Sequence, residues 1–207
     1  MRYYDGGFQA ALAAARDQGI APVWFVWITG RDFDTNDPIE GGIWSGHEDL
    51  TINVPLPDGS GAETRIYIGG CGLTISGLRY VSDLTDSPVT VSLSQIADGA
   101  QYLLRGIDQR LANVEIHVSS MTGGAFVSPP QIEFVGIVGE GSIGTPPAGS
   151  EGGITLSVRS ELLAMLSATS PAKSSDQHQK RRAAGDEFCK YGSTVSSRQV
   201  QWYQQDD

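Results

Sequence analysis

Val23-Trp24-Phe25-Val26-Trp27-Ile28-Thr29 carries a β-branched or aromatic side chain at every position. Such side chains fit a pleated strand better than a helix, and a run with no polar face implies burial on both sides of a sheet. Because successive side chains alternate in a strand, Trp24 and Trp27 fall on opposite faces. Both cannot then belong to one surface platform, so at least one of them is core.

Working outward, residues 8–17 (FQAALAAARD) space Phe8, Leu12 and Ala15 along one helical face, and Gly19 stands where a helix stops. Residues 30–38 carry turn chemistry. Short strands are expected at 42–44, 50–54, 63–68, 73–78 and 89–93, separated by Pro, Gly and Asp clusters such as PLPDGSG and TDSP. Residues 98–111 (DGAQYLLRGIDQRL) read as a helix weakened at Gly106, and 114–119 as a half-buried strand with Glu115 and His117 outward. Residues 131–138 and 154–160 read as paired strands around a Gly- and Pro-rich loop at 139–153, too long for a tight turn and expected to be a mobile excursion. One or two helical turns are expected at 161–166.

This spacing predicts a mainly β domain, an antiparallel sandwich or barrel with one or two short helices, over residues 1–167. The chain is 207 residues long, long enough for a substantial core, and its 26 glycines suit a turn-rich fold. Beyond residue 167 the composition turns polar, and residues 168–207 read as an extended C-terminal arm that orders on assembly. Within it, residues 195–203 (VSSRQVQWY) could add one strand, with Val200 and Trp202 on one side.

The formal net charge is −10. No basic field exists to hold phosphates, which argues against nucleic acid as a tightly bound ligand. An acidic surface does suit a conduit that passes DNA without retaining it, with Asp83, Asp86, Asp98 and Glu151 as candidate lumen charges. Cys71 and Cys189 are the two cysteines, too few for a four-thiolate metal or iron–sulfur site. They are expected to be reduced and to bind no metal. The start lacks a signal-peptide pattern and no apolar run reaches membrane-spanning length, so a soluble protein made in the cytoplasm is expected.

Chemistry-bearing clusters are sparse. His47-Glu48-Asp49 lacks a second histidine at ligand spacing and reads as a polar turn at a strand edge, and His47, His117 and His178 lie on three distant segments. Cys189 with His178 and Asp176 could be drawn as a cysteine nucleophile and its base, but polar sequence does not impose that geometry. Gly69-Gly70-Cys71-Gly72 lacks the lysine of a phosphate loop and reads as a strand-end turn. Trp24, Trp27 and Trp44 are candidates for sugar stacking, which keeps a carbohydrate- or receptor-binding module as the alternative function. Lys180-Arg181-Arg182 is the one basic run, able to dock on an acidic neighbour.

Two segments carry a family resemblance. Trp27-x-Thr29-x-Arg31-Asp32 followed by Ser45-Gly46-His47-Glu48-Asp49-Leu50-Thr51, and then Ser175-Asp176-Gln177-His178-Gln179-Lys180-Arg181 followed by Gly185-Asp186-Glu187-Phe188, resemble the tail-hub and tail-tip (baseplate) proteins of long-tailed phages and gene transfer agents. Tyr67, Gly72-Leu73, the 89–93 strand and Val114-Glu115-Ile116-His117-Val118 continue the match. The resemblance implies a tail-tube-like β domain and a non-catalytic virion component, and with two cysteines no cofactor is expected. It would sit in a ring between the distal tail ring and the central tip or fibre protein, a homotrimer or other ring with DNA only in transit through it. Asp176, Gln179, Gly185, Asp186, Phe188 and Trp202 are the expected assembly contacts. Some such hubs hold an iron–sulfur cluster on four cysteines, and this chain departs from them there.

Overall fold

The run at 23–29 lies within a strand, β1 (Ala21–Asp32), flanked on both sides and buried on both faces, as its composition requires. The computed structural model describes residues 4–79, 85, 87–144, 147, 152–167, 175–192, 194 and 197. Contacts divide the chain into Met1–Ser167 and Ala168–Asp207.

In the first unit, α1 (Gly6–Gln18) starts at Asp5, whose carboxylate accepts from the Gly7 N–H, and ends at Gly19. After β1 come β2 (Pro38–Trp44), β3 (Leu50–Pro55), β4 (Ala62–Ile68), β5 (Thr74–Ser76) and β6 (Val89–Ser94). Then follow α2 (Asp98–Gly106), β7 (Ile107–Thr122), β8 (Ala125–Phe126), β9 (Gln131–Gly144), β10 (Gly153–Ser160) and α3 (Glu161–Ser167). The described strands make one ten-stranded sheet in the order β3-β4-β2-β1-β7-β9-β10-β6-β5, with β8 paired to β7. The fold is mainly β. Its sheet is not a closed barrel, because β3 and β5 are its two ends, and it is mixed, because β2 and β4 run parallel.

The sheet coils back on itself: the Ser94 N–H at the end of β6 donates to the Cys71 carbonyl in the turn that leaves β4. One core cluster forms on the first face, from Val26 and Ile28 through Val114 and Ile116 to Leu156 and Val91, with Leu103 of α2 packed among them. The other face buries Phe25, Trp27, Trp44, Val54 and Tyr67 as a second cluster. Two adjacent glycines in β2 allow both layers to approach. A methyl on Gly41 would stand 2.3 Å from Leu103 Cδ2, and one on Gly42 2.7 Å from the Trp27 and Tyr67 rings.

Three expectations need correction. The helix expected over 98–111 stops at Gly106, and Leu111 belongs to β7: β1 offers Asp32 and Arg31 as ladder partners to Ile107 and Asp108, so tertiary pairing overrides local helix propensity. Of the excursion expected at 139–153, residues 139–144 and 153 are ladder, with β9 and β10 paired out to Gly144 and Gly153, and residues 145–146 and 148–151 lie outside the described residues. Finally, His117 is buried rather than outward, because β3 and β4 bring the second aromatic cluster over that face.

The second unit is also not extended over its described residues. It contains α4 (Asp176–Arg182), capped by the Ser175 hydroxyl accepting from the His178 N–H and braced by a Lys180–Asp176 ion pair, followed by turns through Gly192. The 195–203 strand expectation falls almost wholly outside the described residues.

Candidate functional site

Alternation along β4 places Glu63, Arg65 and Tyr67 on one face, and alternation along β7 does the same for Glu115 and His117. The register pairs Glu115 with Trp27 and His117 with Phe25, so these polar side chains enter the second aromatic cluster. Arg65, 4% exposed, is the hub. Its Nη1 donates to Glu115 Oε2 at 2.5 Å, its Nε donates to Glu63 Oε2 at 3.1 Å, and its guanidinium lies 4.7 Å from the Trp27 ring centroid. Burial alone would lower its pKa, but the hydrogen bond and charge of Glu115, then the bond to Glu63, raise it. Arg65 is thus a fixed, fully neutralised cation.

His117 is wholly buried, and neither ring nitrogen has a hydrogen-bond partner. Burial first, and the positive Arg65 second, push its pKa down to about 3. The imidazole is therefore neutral, and its 3.7 Å approach to Glu115 is not an ion pair. That carboxylate is already committed to Arg65. Burial likewise pushes the Tyr67 phenol up to about 12. The Arg65–Glu115 pair ties β4 to β7, with the neutral imidazole enclosed beside it.

The surface offers two adjoining cavities where β7 leaves its neighbours. The β1–β7 register slips between Thr29 and Arg31, and the β7–β9 ladder stops at Asn113–Ile137 while β9 continues with β10. One cavity of about 500 Å³ is mixed, lined by Thr29, Arg31, Asp108, Arg110 and Asn113 with Pro38 and Ala112. The other, about 270 Å³, is lined by Phe33, Ile107, Asp108, Val138 and Ile143. The Asp108–Arg110 pair at 2.9 Å stands between them, and the hydrogen bonds from Arg110 hold the Asp108 carboxyl below the usual carboxylate range.

The sequence-derived candidates are dispersed. His47, Glu48 and Asp49 form a bend that braces strand ends: Trp44 Nε1 donates to the Glu48 carbonyl, and the Gly69 N–H donates to Asp49. Trp27 and Trp44 are core at 8% and 9% exposed, and Trp24 packs against the first cluster, so the three do not form a sugar platform. Cys71 is a buried free thiol with its pKa raised chiefly by burial, and Cys189 is a half-buried free thiol. Among the described residues no three His, Cys, Asp or Glu side chains converge as metal ligands, and no helix is long and apolar enough to cross a membrane.

Of the expected assembly contacts, Asp176 and Gln179 lie on α4, Gly185 and Asp186 in the following turn, and Phe188 beyond it at 92% exposed. Trp202 lies outside the described residues. Of the candidate lumen acids, Asp98 is exposed in the first turn of α2, and Asp83, Asp86 and Glu151 lie outside the described residues. Sequence reading missed the Arg65 cluster and the Phe33–Ile143 cavity. The Glu63-x-Arg65-x-Tyr67 and Glu115-x-His117 alternations were the available signal for the first. No family model matches the chain, and no curated protein matches it.

Proposed function

We propose that this chain is a non-catalytic structural subunit of a phage or phage-like tail tip, working by assembly into a ring that adjoins other tail proteins and surrounds a passage for DNA. The observation that carries this reading is the open sheet. Among the described residues its end strands β3 and β5 pair on one side only, so each presents an edge to which another chain can add. The resemblance of the 27–51 and 175–188 segments to tail-hub proteins gives the edges their context.

Charge supports the conduit part of the reading. Residues 1–167 hold eight basic and nineteen acidic side chains, a net of −11, and no lysine. A wall of that sign repels phosphate within the roughly 8–10 Å reach that physiological salt allows. The test is localisation: gold-labelled antibody against this chain should decorate one end of purified tails. Label confined to the capsid, or absent from intact particles, would remove the reading.

A further inference from the structure

Phe188 is held out from its turn. The Asp186 carboxylate accepts from the Phe188 N–H at 3.0 Å, and the ring is 92% exposed with Tyr191 nearby in sequence at 66%. In sequence Phe188 follows the exposed Arg181 and Arg182 of α4 and precedes Lys190, which is paired to Glu187 at 3.1 Å. This is an exposed aromatic knob a few residues from Arg181 and Arg182, on a unit, residues 168–207, whose six basic and five acidic side chains give a net of +1, against −11 for residues 1–167.

The first unit carries the complementary shape. Its cavity of about 270 Å³ has buried Ile107 and Val138 at the base and Phe33 and Ile143, 55% and 50% exposed, as walls. A cavity of about 150 Å³ already holds benzene, so a phenyl ring fits. Asp108 lines it in an ion pair with Arg110, and further carboxylates adjoin its lining residues in sequence: Asp32 and Asp34 on either side of Phe33, with Asp37 in the same turn, and Glu140 between Gly139 and Gly141. Backbone N–H groups of Thr35 and Asp34 hold the Asp32 carboxyl below its ordinary range, keeping it ionised.

We infer that Phe188 of one copy seats between Phe33 and Ile143 of a second copy, with Arg181 and Arg182 against the acidic turn. The inference rests on the assembly reading above and names its contact. An apolar knob that fits a pocket elsewhere on the same chain makes a head-to-tail contact, which propagates into a closed ring or a filament. A desolvated aromatic anchor supplies most of such an interface's affinity, and the charges set its orientation and salt dependence.

Sedimentation of the full chain tests it with two variants, Phe188→Asp and Ile143→Asp, both at exposed positions and both checked for wild-type circular dichroism. Wild type should self-associate with increasing concentration, less so at high salt, and each variant should weaken association by about tenfold or more. An equimolar mixture should give a one-to-one heterodimer, because the Phe188→Asp copy keeps its cavity and the Ile143→Asp copy keeps its knob. Undiminished association of either variant, or a mixture with no heterodimer, would overturn the contact while leaving assembly through the sheet edges standing. A wild type that stays monomeric would also overturn it, whereas the tail-tip reading fails only with the labelling of particles.

Discussion

Arg65, Glu115 and His117 show how a charged group is tolerated inside an aromatic layer, and what its presence costs. Removing one partner of a buried pair strands the other charge, so Glu115→Ala should cost about 3 kcal/mol, and the double replacement Arg65→Met with Glu115→Leu should recover much of that loss. Urea titration checks both. A Glu115→Ala protein as stable as wild type would mean that Arg65 finds water or another partner there. His117 couples the layer to pH. Its folded pKa, about 3, lies below its ordinary 6.5, so the unfolded chain binds the extra proton. Its contribution to stability is fully present above pH 6.5 and is lost as pH falls toward 3, at up to about 1.4 kcal/mol per pH unit. Replacing His117 by Leu should leave stability at pH 7 unchanged or higher and should flatten the acid limb by one proton. An unchanged slope would place the acid sensitivity in other groups.

At the scale of elements, local chemistry accounts for much of what forms. The seven residues 23–29 prescribe a doubly buried strand, Asp5 and Gly19 bound α1, and Gly123-Gly124 join β7 to β8 with φ of 60° and 84°, as a two-residue turn with both centres left-handed requires. Gly123→Val should therefore lower stability by about 1–2 kcal/mol, with Gly123→Asn milder, as read from thermal midpoints; equal losses would deny the backbone origin. Other elements are decided by partners that local sequence does not display. Residues 107–111 continue a helical pattern yet become strand because β1 offers a ladder, and the glycines at 139–144 join β9 because β10 runs alongside. His117 reads as outward because alternation reports which side a side chain takes, not whether that side is covered. Here β4 covers it, bringing Arg65 and Tyr67 from fifty residues away in sequence. The arm read as extended contains α4, which Ser175 caps and the Asp176–Lys180 pair braces.

For the whole molecule, the proposed function rests on incompleteness. A sheet that ends in β3 and β5 rather than closing, and a second unit that exposes Phe188 and Tyr191, leave surfaces that association would satisfy. The charge split between residues 1–167 and 168–207 would let unlike units of neighbouring copies meet with opposite signs, leaving acidic surface for the proposed lumen. A map of the ring should show acids outnumbering bases along the channel, and a basic lumen would reduce the −10 to ordinary solubility. The most direct measurement of the central claim is quantitative mass spectrometry of purified tails and tail tips. The account predicts this chain at a fixed, small whole-number ratio to the other tip proteins and retained through salt washes; a chain absent from the particles, or present at variable trace amounts, would contradict it.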